Sequence, residues 1–174
     1  MRNNTGITKI IFTGPVGAGK TTAINSVSES KVLHSEVNSS QDIRKDKQKI
    51  TVAMDYGSLT LENGQRLHLY GTPGQKRFNF MWPILTRGGK GLILFLDNAR
   101  PDPLSDLSHY LDAFDNFIQS TQLVIGITRT DISNRLKLSD YKKVLQRRGQ
   151  KYPIKKIDAR CKKEVKQLVN LLDL

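Results

Sequence analysis

Short apolar runs alternate along this chain with longer stretches in which apolar residues recur every three or four positions. Ile7 to Thr13 is largely apolar, as a parallel strand covered on both faces must be. Thr22 to about Ser30 continues as a helix. Lys31 to Lys49, rich in Ser, Asn, Gln and Lys, holds no sustained period and predicts a mobile loop of the length that lids and switches use. Ile50 to Leu61 and Gln65 to Tyr70 alternate around Glu62-Asn63-Gly64, the pattern of an antiparallel hairpin. Lys76 to about Thr86 predicts a short helix interrupted near Pro83. Gly91 to Leu96 is a further strand, and Pro101-Asp102-Pro103 opens an amphipathic helix running to about Ser120. Leu123 to Thr128 reads as a strand, Ser139 to Arg148 as a helix with Ser139 as its N-cap, Pro153 to Ile157 as a short strand, and Cys161 to Leu172 as the closing helix. The expected fold is α/β: a mainly parallel six-stranded sheet with one antiparallel edge strand and helices on both faces. Ligands in such a sheet bind at the carboxyl ends of the strands.

Length and charge narrow this picture. At 174 residues and 37% hydrophobic, the chain suits one domain spanning 1–174. No apolar run approaches a transmembrane length, and the first residues lack the apolar core of a secretory signal. The single cysteine, Cys161, forms no internal disulfide and suits a reducing cytoplasm. Arg2 replaces the glycine that myristoylation needs, and the C-terminus has no cysteine box; any membrane contact is therefore electrostatic or made through a partner. The net charge is +12, and residues 135–174 hold 13 Lys or Arg against 4 Asp or Glu. Such a segment suits anionic lipid, nucleic acid or an acidic partner, and equally a solvated face that keeps the protein soluble.

The chemistry concentrates first in Gly14-Pro15-Val16-Gly17-Ala18-Gly19-Lys20-Thr21, which fits the phosphate-loop pattern G-x-x-x-x-G-K-[ST] directly after a strand and before a helix. Gly14, Gly17 and Gly19 allow the positive φ angles that turn successive N–H groups inward at phosphate oxygens. Lys20 adds a positive charge. Thr21 offers a hydroxyl to a Mg²⁺ ion, and the following helix points its positive dipole end at the anion, with Ala18 and Thr22 beside it.

Four further boxes follow in order: Thr51 in Lys49-Ile50-Thr51-Val52-Ala53-Met54-Asp55-Tyr56-Gly57, then Gly71 to Gln75, Thr128-Arg129-Thr130-Asp131, and Asp158-Ala159-Arg160. With them nearly the whole chain resembles the Ras-like small GTPases, a P-loop NTPase group, and most closely the bacterial branch that includes the MglA polarity proteins. The resemblance implies a GTP-binding molecular switch that slowly hydrolyses GTP to GDP with Mg²⁺. Lys20 and Gln75 would be the catalytic residues, Gln75 orienting the attacking water. Nucleotide would be held by Gly14, Val16, Gly17, Ala18, Gly19, Lys20, Thr21, Thr22, Gly74, Thr128, Arg129, Asp131, Ala159 and Arg160. Asp131 would accept the N1–H and 2-amino hydrogens of guanine, a donor pair that adenine lacks. Thr21 and Thr51 would hold the metal. Arg44 and Arg77 lie near the site in sequence, and neither is assigned as an arginine finger. A roadblock-type regulatory or effector protein is the implied partner, with Phe78, Phe80 and Trp82 as a surface that follows the nucleotide state.

Two positions depart from that pattern. Gly71 stands where most Ras-like proteins carry the aspartate that supports the metal, and Asp55, on the adjacent antiparallel strand, is the nearest replacement. Thr128 stands in an asparagine slot. Both departures also suit a degenerate, nucleotide-bound scaffold that no longer hydrolyses; a P-loop kinase or ATPase would use the same first loop but has no reason to carry Asp131.

Overall fold

The computed structural model describes residues 8–39 and 50–174, with side chains described for 8–34 and 54–174. Among these residues seven strands form one sheet: β1 (Thr8–Thr13), β2 (Leu33–Ser39), β3 (Ile50–Thr60), β4 (Arg66–Gly71), β5 (Gly89–Asp97), β6 (Gln122–Thr128) and β7 (Ile154–Lys156). Their order across the sheet is β2-β3-β4-β1-β5-β6-β7. Only β3 is reversed, pairing antiparallel with both β2 and β4, while the other neighbours run parallel. The fold is thus the α/β architecture read from the sequence, with seven strands instead of six. The additional strand lies inside the stretch expected to be a loop, because the long β3 extends past β4 and needs a second partner for its backbone.

Among the described residues, six helices cover the two faces: α1 (Lys20–Val27), α2 (Trp82–Thr86), α3 (Pro103–Ala113), α4 (Asp115–Ile118), α5 (Leu138–Arg147) and α6 (Lys162–Val169). Alternation along the central strands decides which face each side chain feeds. Ile10, Phe12, Ile93 and Phe95 pack with Ala23, Ile24 and Val27 of α1 and Val165 and Leu168 of α6. Ile11, Leu92, Leu94 and Leu96 pack on the opposite face with Leu107, Tyr110 and Leu111 of α3 and Tyr141 and Leu145 of α5. Burial on both sides is why β5 reads as a continuous apolar run.

Local details differ from the sequence reading in instructive ways. Lys76–Met81 is a 3₁₀ helix, and α2 begins at Trp82 with Pro83 in its first turn, where a missing N–H costs nothing. The helix after Pro103 is distorted at Phe114, yet Phe114 N–H to Tyr110 O and Ile118 N–H to Phe114 O carry the i to i−4 pattern through. Ser139 is not the cap of α5: Lys137 holds that position, and Asp140 three residues on accepts its N–H at 2.8 Å. No described helix is long and apolar enough to cross a membrane.

Candidate functional site

The phosphate loop closes the end of β1. Gly14, Gly17 and Gly19 have φ of 138°, 79° and 98°, and a Cβ on Gly14 would lie 2.1 Å from the Phe95 carbonyl oxygen. Only glycine fits there. Lys20 is 8% exposed and donates to the carbonyl oxygens of Gly14 at 2.7 Å and Pro15 at 2.8 Å. Burial pushes its pKa down to about 8, with Asp55 opposing the shift and Arg100 adding to it. The lysine is thus held over the loop as a poised cation. Val16, Thr21 and Thr22 are exposed beside it.

Across the loop lies the segment that follows β4. Thr72 Oγ1 meets Thr13 Oγ1 at 2.9 Å, and Thr72 N–H donates to Phe12 O at 2.8 Å. Gly74 sits so close that a Cβ there would lie 2.7 Å from Val16 N and 2.8 Å from Lys20 Nζ. Its carbonyl accepts from Tyr110 Oη at 3.4 Å, and Trp82 Nε1 donates to Pro73 O at 3.3 Å. Trp82 stacks on Phe114 with centroids 4.8 Å apart. Phe78 and Trp82 are buried, whereas Phe80 is 39% exposed. Gln75, next to Gly74, faces solvent.

Asp55 and Thr21 meet at the start of α1, beside the phosphate loop. Thr21 Oγ1 donates to Asp55 Oδ2, and Asp55 Oδ1 accepts from His34 Nδ1 at 2.8 Å. Asp55 pairs in register with Gly71. The backbone of Thr51 lies on β3 opposite Asn38, but its side chain, and all of Arg44, lie outside the described residues. Among the described residues no group of three His, Cys, Asp or Glu side chains is arranged to hold a metal; hydroxyl and carboxylate oxygens with phosphate are the donor set that Mg²⁺ prefers.

A cleft of about 890 Å³ runs from Ala18, Gly19 and Thr22 past Thr128, Arg129 and Asp131 to Ala159 and Arg160. Thr128 donates its hydroxyl to Ala18 O at 2.9 Å and lies 3.3 Å from Leu96 O, so it ties the end of β6 to the phosphate loop. Arg129 adopts φ 55° and its guanidinium lies 3.3 Å from the buried Asp97 carboxylate. Asp131 is 69% exposed, with Arg160 Nη2 at 3.9 Å. Arg160 also grips Asp158 at 2.8 Å, holding that carboxyl down at about 2, while Glu164 accepts the Asp158 N–H at 2.7 Å.

Several residues of this framework were not singled out as site residues from sequence. Asp97 and Asn98 end an apolar strand at its carboxyl edge, a readable signal; Asn98 is fully buried, donates to Ser133 O at 2.6 Å and accepts from Tyr141 Oη at 2.6 Å, which pins the loop beyond Asp131. His34 had no such signal, since its contact depends on β2.

Residues 12–174 match the family described as conserved hypothetical ATP binding protein. The chain is 30% identical over 128 residues to uncharacterized protein MJ1339 of Methanocaldococcus jannaschii, covering 72% of each chain. It is 26% identical over 122 residues to the intraflagellar transport protein 22 homolog of Bos taurus, covering 67% of this chain and 62% of that one. With Ras-related protein Rab-12 of Homo sapiens it shares 27% identity over 108 residues, 60% of this chain and 42% of the relative. The alignment therefore spans less than two thirds of the length of the last two. These similarities support a P-loop, GTPase-like protein.

Proposed function

The chain belongs to the family described as conserved hypothetical ATP binding protein, and within it we propose a guanine-nucleotide switch that binds GTP or GDP with Mg²⁺ and hydrolyses GTP slowly. The observation that carries this reading is the continuous cleft from Gly19 and Thr22 to Asp131 and Ala159, with a phosphate cradle at one end and a carboxylate at the other. A carboxylate has only acceptors. It pairs with the two donors on the guanine edge, whereas the adenine N1 lone pair would face it unsatisfied. Guanine is therefore favoured over the adenine that the family description names.

Phosphates would be held by the N–H groups of 14–21 and by Lys20, released from the Gly14 and Pro15 carbonyls. Gly74, already against Val16 N and Lys20 Nζ, is the contact that a γ-phosphate would reposition, and the loop carrying it and the one leading to Thr51 would respond. Because Thr21 donates its hydroxyl hydrogen to Asp55, its lone pairs remain free for Mg²⁺, which Asp55 would support and which would neutralise developing charge on the phosphates. Thr51 completes the proposed metal set. Gln75 is the proposed water-orienting residue, Arg129 and Arg160 flank the base, and Ala159 offers its N–H to the guanine O6. The same proposal places the protein in the MglA-like branch, acting in the cytoplasm as one domain, with a roadblock-type partner. The basic segment 135–174 would then meet anionic lipid or an acidic partner.

Phosphate release from bound GTP tests the reading. We expect a slow single turnover, on the order of 10⁻⁴ to 10⁻³ per second, slowed further in Gln75→Leu. The solvent-facing Gln75 favours one alternative, a nucleotide-bound scaffold; binding without any phosphate release would establish it.

A further inference from the structure

We infer that His34 is a positioning residue for the metal-side carboxylate, aiming Asp55 at Thr21; this rests on the proposed role of Asp55 in holding Mg²⁺. The two residues are direct cross-strand partners on β2 and β3. The Asp55 side chain is 13% exposed and that of His34 55%, so the carboxylate is the more enclosed of the pair, and Thr21, itself exposed, meets its other oxygen. Each oxygen has its own donor: His34 Nδ1 on Oδ1 at 2.8 Å, and Thr21 Oγ1 on Oδ2. An ionised carboxylate accepts, which sets the proton on Nδ1.

The need for an anchor follows from Gly71. The second torsion of an aspartate is broad and has no sharp staggered well. A side chain at position 71 would wall the carboxylate in, its Cβ lying 3.2 Å from Oδ2, but glycine supplies no such wall. His34 therefore fixes the plane of a carboxylate that its neighbour on β4 leaves free to turn. Because His34 belongs to the strand that leads toward Thr51, the same hydrogen bond ties that strand to the metal side of the phosphate loop.

The test is the Mg²⁺ dependence of release of a fluorescent GDP analogue from the full chain. His34→Ala raises the Mg²⁺ concentration for half-maximal retention roughly tenfold, the scale of losing an orienting partner behind a metal-supporting group. His34→Asn, whose amide nitrogen takes the place of Nδ1, returns it to within about twofold. With Mg²⁺ chelated, all three proteins bind the analogue equally, which a merely structural role would not give. Unchanged Mg²⁺ dependence in His34→Ala, or an Asn variant as impaired as the Ala variant, overturns the inference. Asp55→Asn separates the two levels: if it shifts the Mg²⁺ dependence and His34→Ala does not, only the role of His34 fails. If Asp55→Asn has no effect, the metal role of Asp55 fails and this inference with it.

Discussion

Asp55 and Gly71 face each other in register across β3 and β4, and the Asp55 carboxylate fills the space that a side chain at 71 would need: a Cβ there would lie 3.1 Å from Asp55 Cβ and 3.2 Å from Oδ2. Gly71→Asp should therefore crowd two carboxylates into one space and destabilise the chain by about 2 kcal/mol, read from the urea midpoint. Adding Asp55→Gly should recover at least half of that loss. Wild-type stability in the single variant would show that the two positions do not compete.

The depressed pKa of Lys20 links nucleotide binding and stability to pH. Its folded value of about 8 lies below the ordinary 10.5, so the free protein pays for a buried charge below pH 8. That penalty fades as pH rises through 8 to 10.5, where the unfolded chain binds more protons than the folded one. Stability of the nucleotide-free chain should rise across that window by about 3 kcal/mol from this group. Phosphate needs the ammonium form, so affinity should move the other way, level below about pH 7 and falling by up to tenfold per unit above 8. Lys20→Met should abolish binding and flatten the stability profile; urea unfolding and nucleotide titration across pH 6.5 to 10 measure both.

Thr128 spans from β6 to the phosphate loop through the Ala18 carbonyl at 2.9 Å. Thr128→Val keeps the volume and loses the donor. It should cost about 1–2 kcal/mol of stability and weaken nucleotide binding severalfold, while Thr128→Ser stays near wild type. Equal binding by the Val variant in isothermal titration would show that the tie does not shape the loop.

Much of this was legible in the residues. The phosphate loop could be read because only glycine reaches the φ angles found at 14, 17 and 19, and the central strands because burial on both faces leaves them uniformly apolar. The strand β2 was hidden: Leu33–Ser39 reads LHSEVNS, without alternation, and it forms because the 11-residue β3 outruns the 6-residue β4. Its pairing also decides where His34 lies, so that contact was invisible too. Thr128 looked like the loss of an asparagine, yet a hydroxyl two buried carbonyls can reach does a different task in the same slot. Asp131 could be read as a base acceptor from its place after a buried strand, but its pairing with Arg160 could not, because the two lie on separate loops; it stands in solvent with Arg160 at its side.

The central claim is guanine selection by Asp131, and the most direct measurement is displacement of a fluorescent GDP analogue by GTP, GDP and ATP, with Mg²⁺ present and then chelated. The account predicts displacement by GTP and GDP at least a hundredfold more effective than by ATP, with faster release once Mg²⁺ is removed. Equal displacement by ATP would contradict it and return the cleft to the adenine nucleotide of the family description.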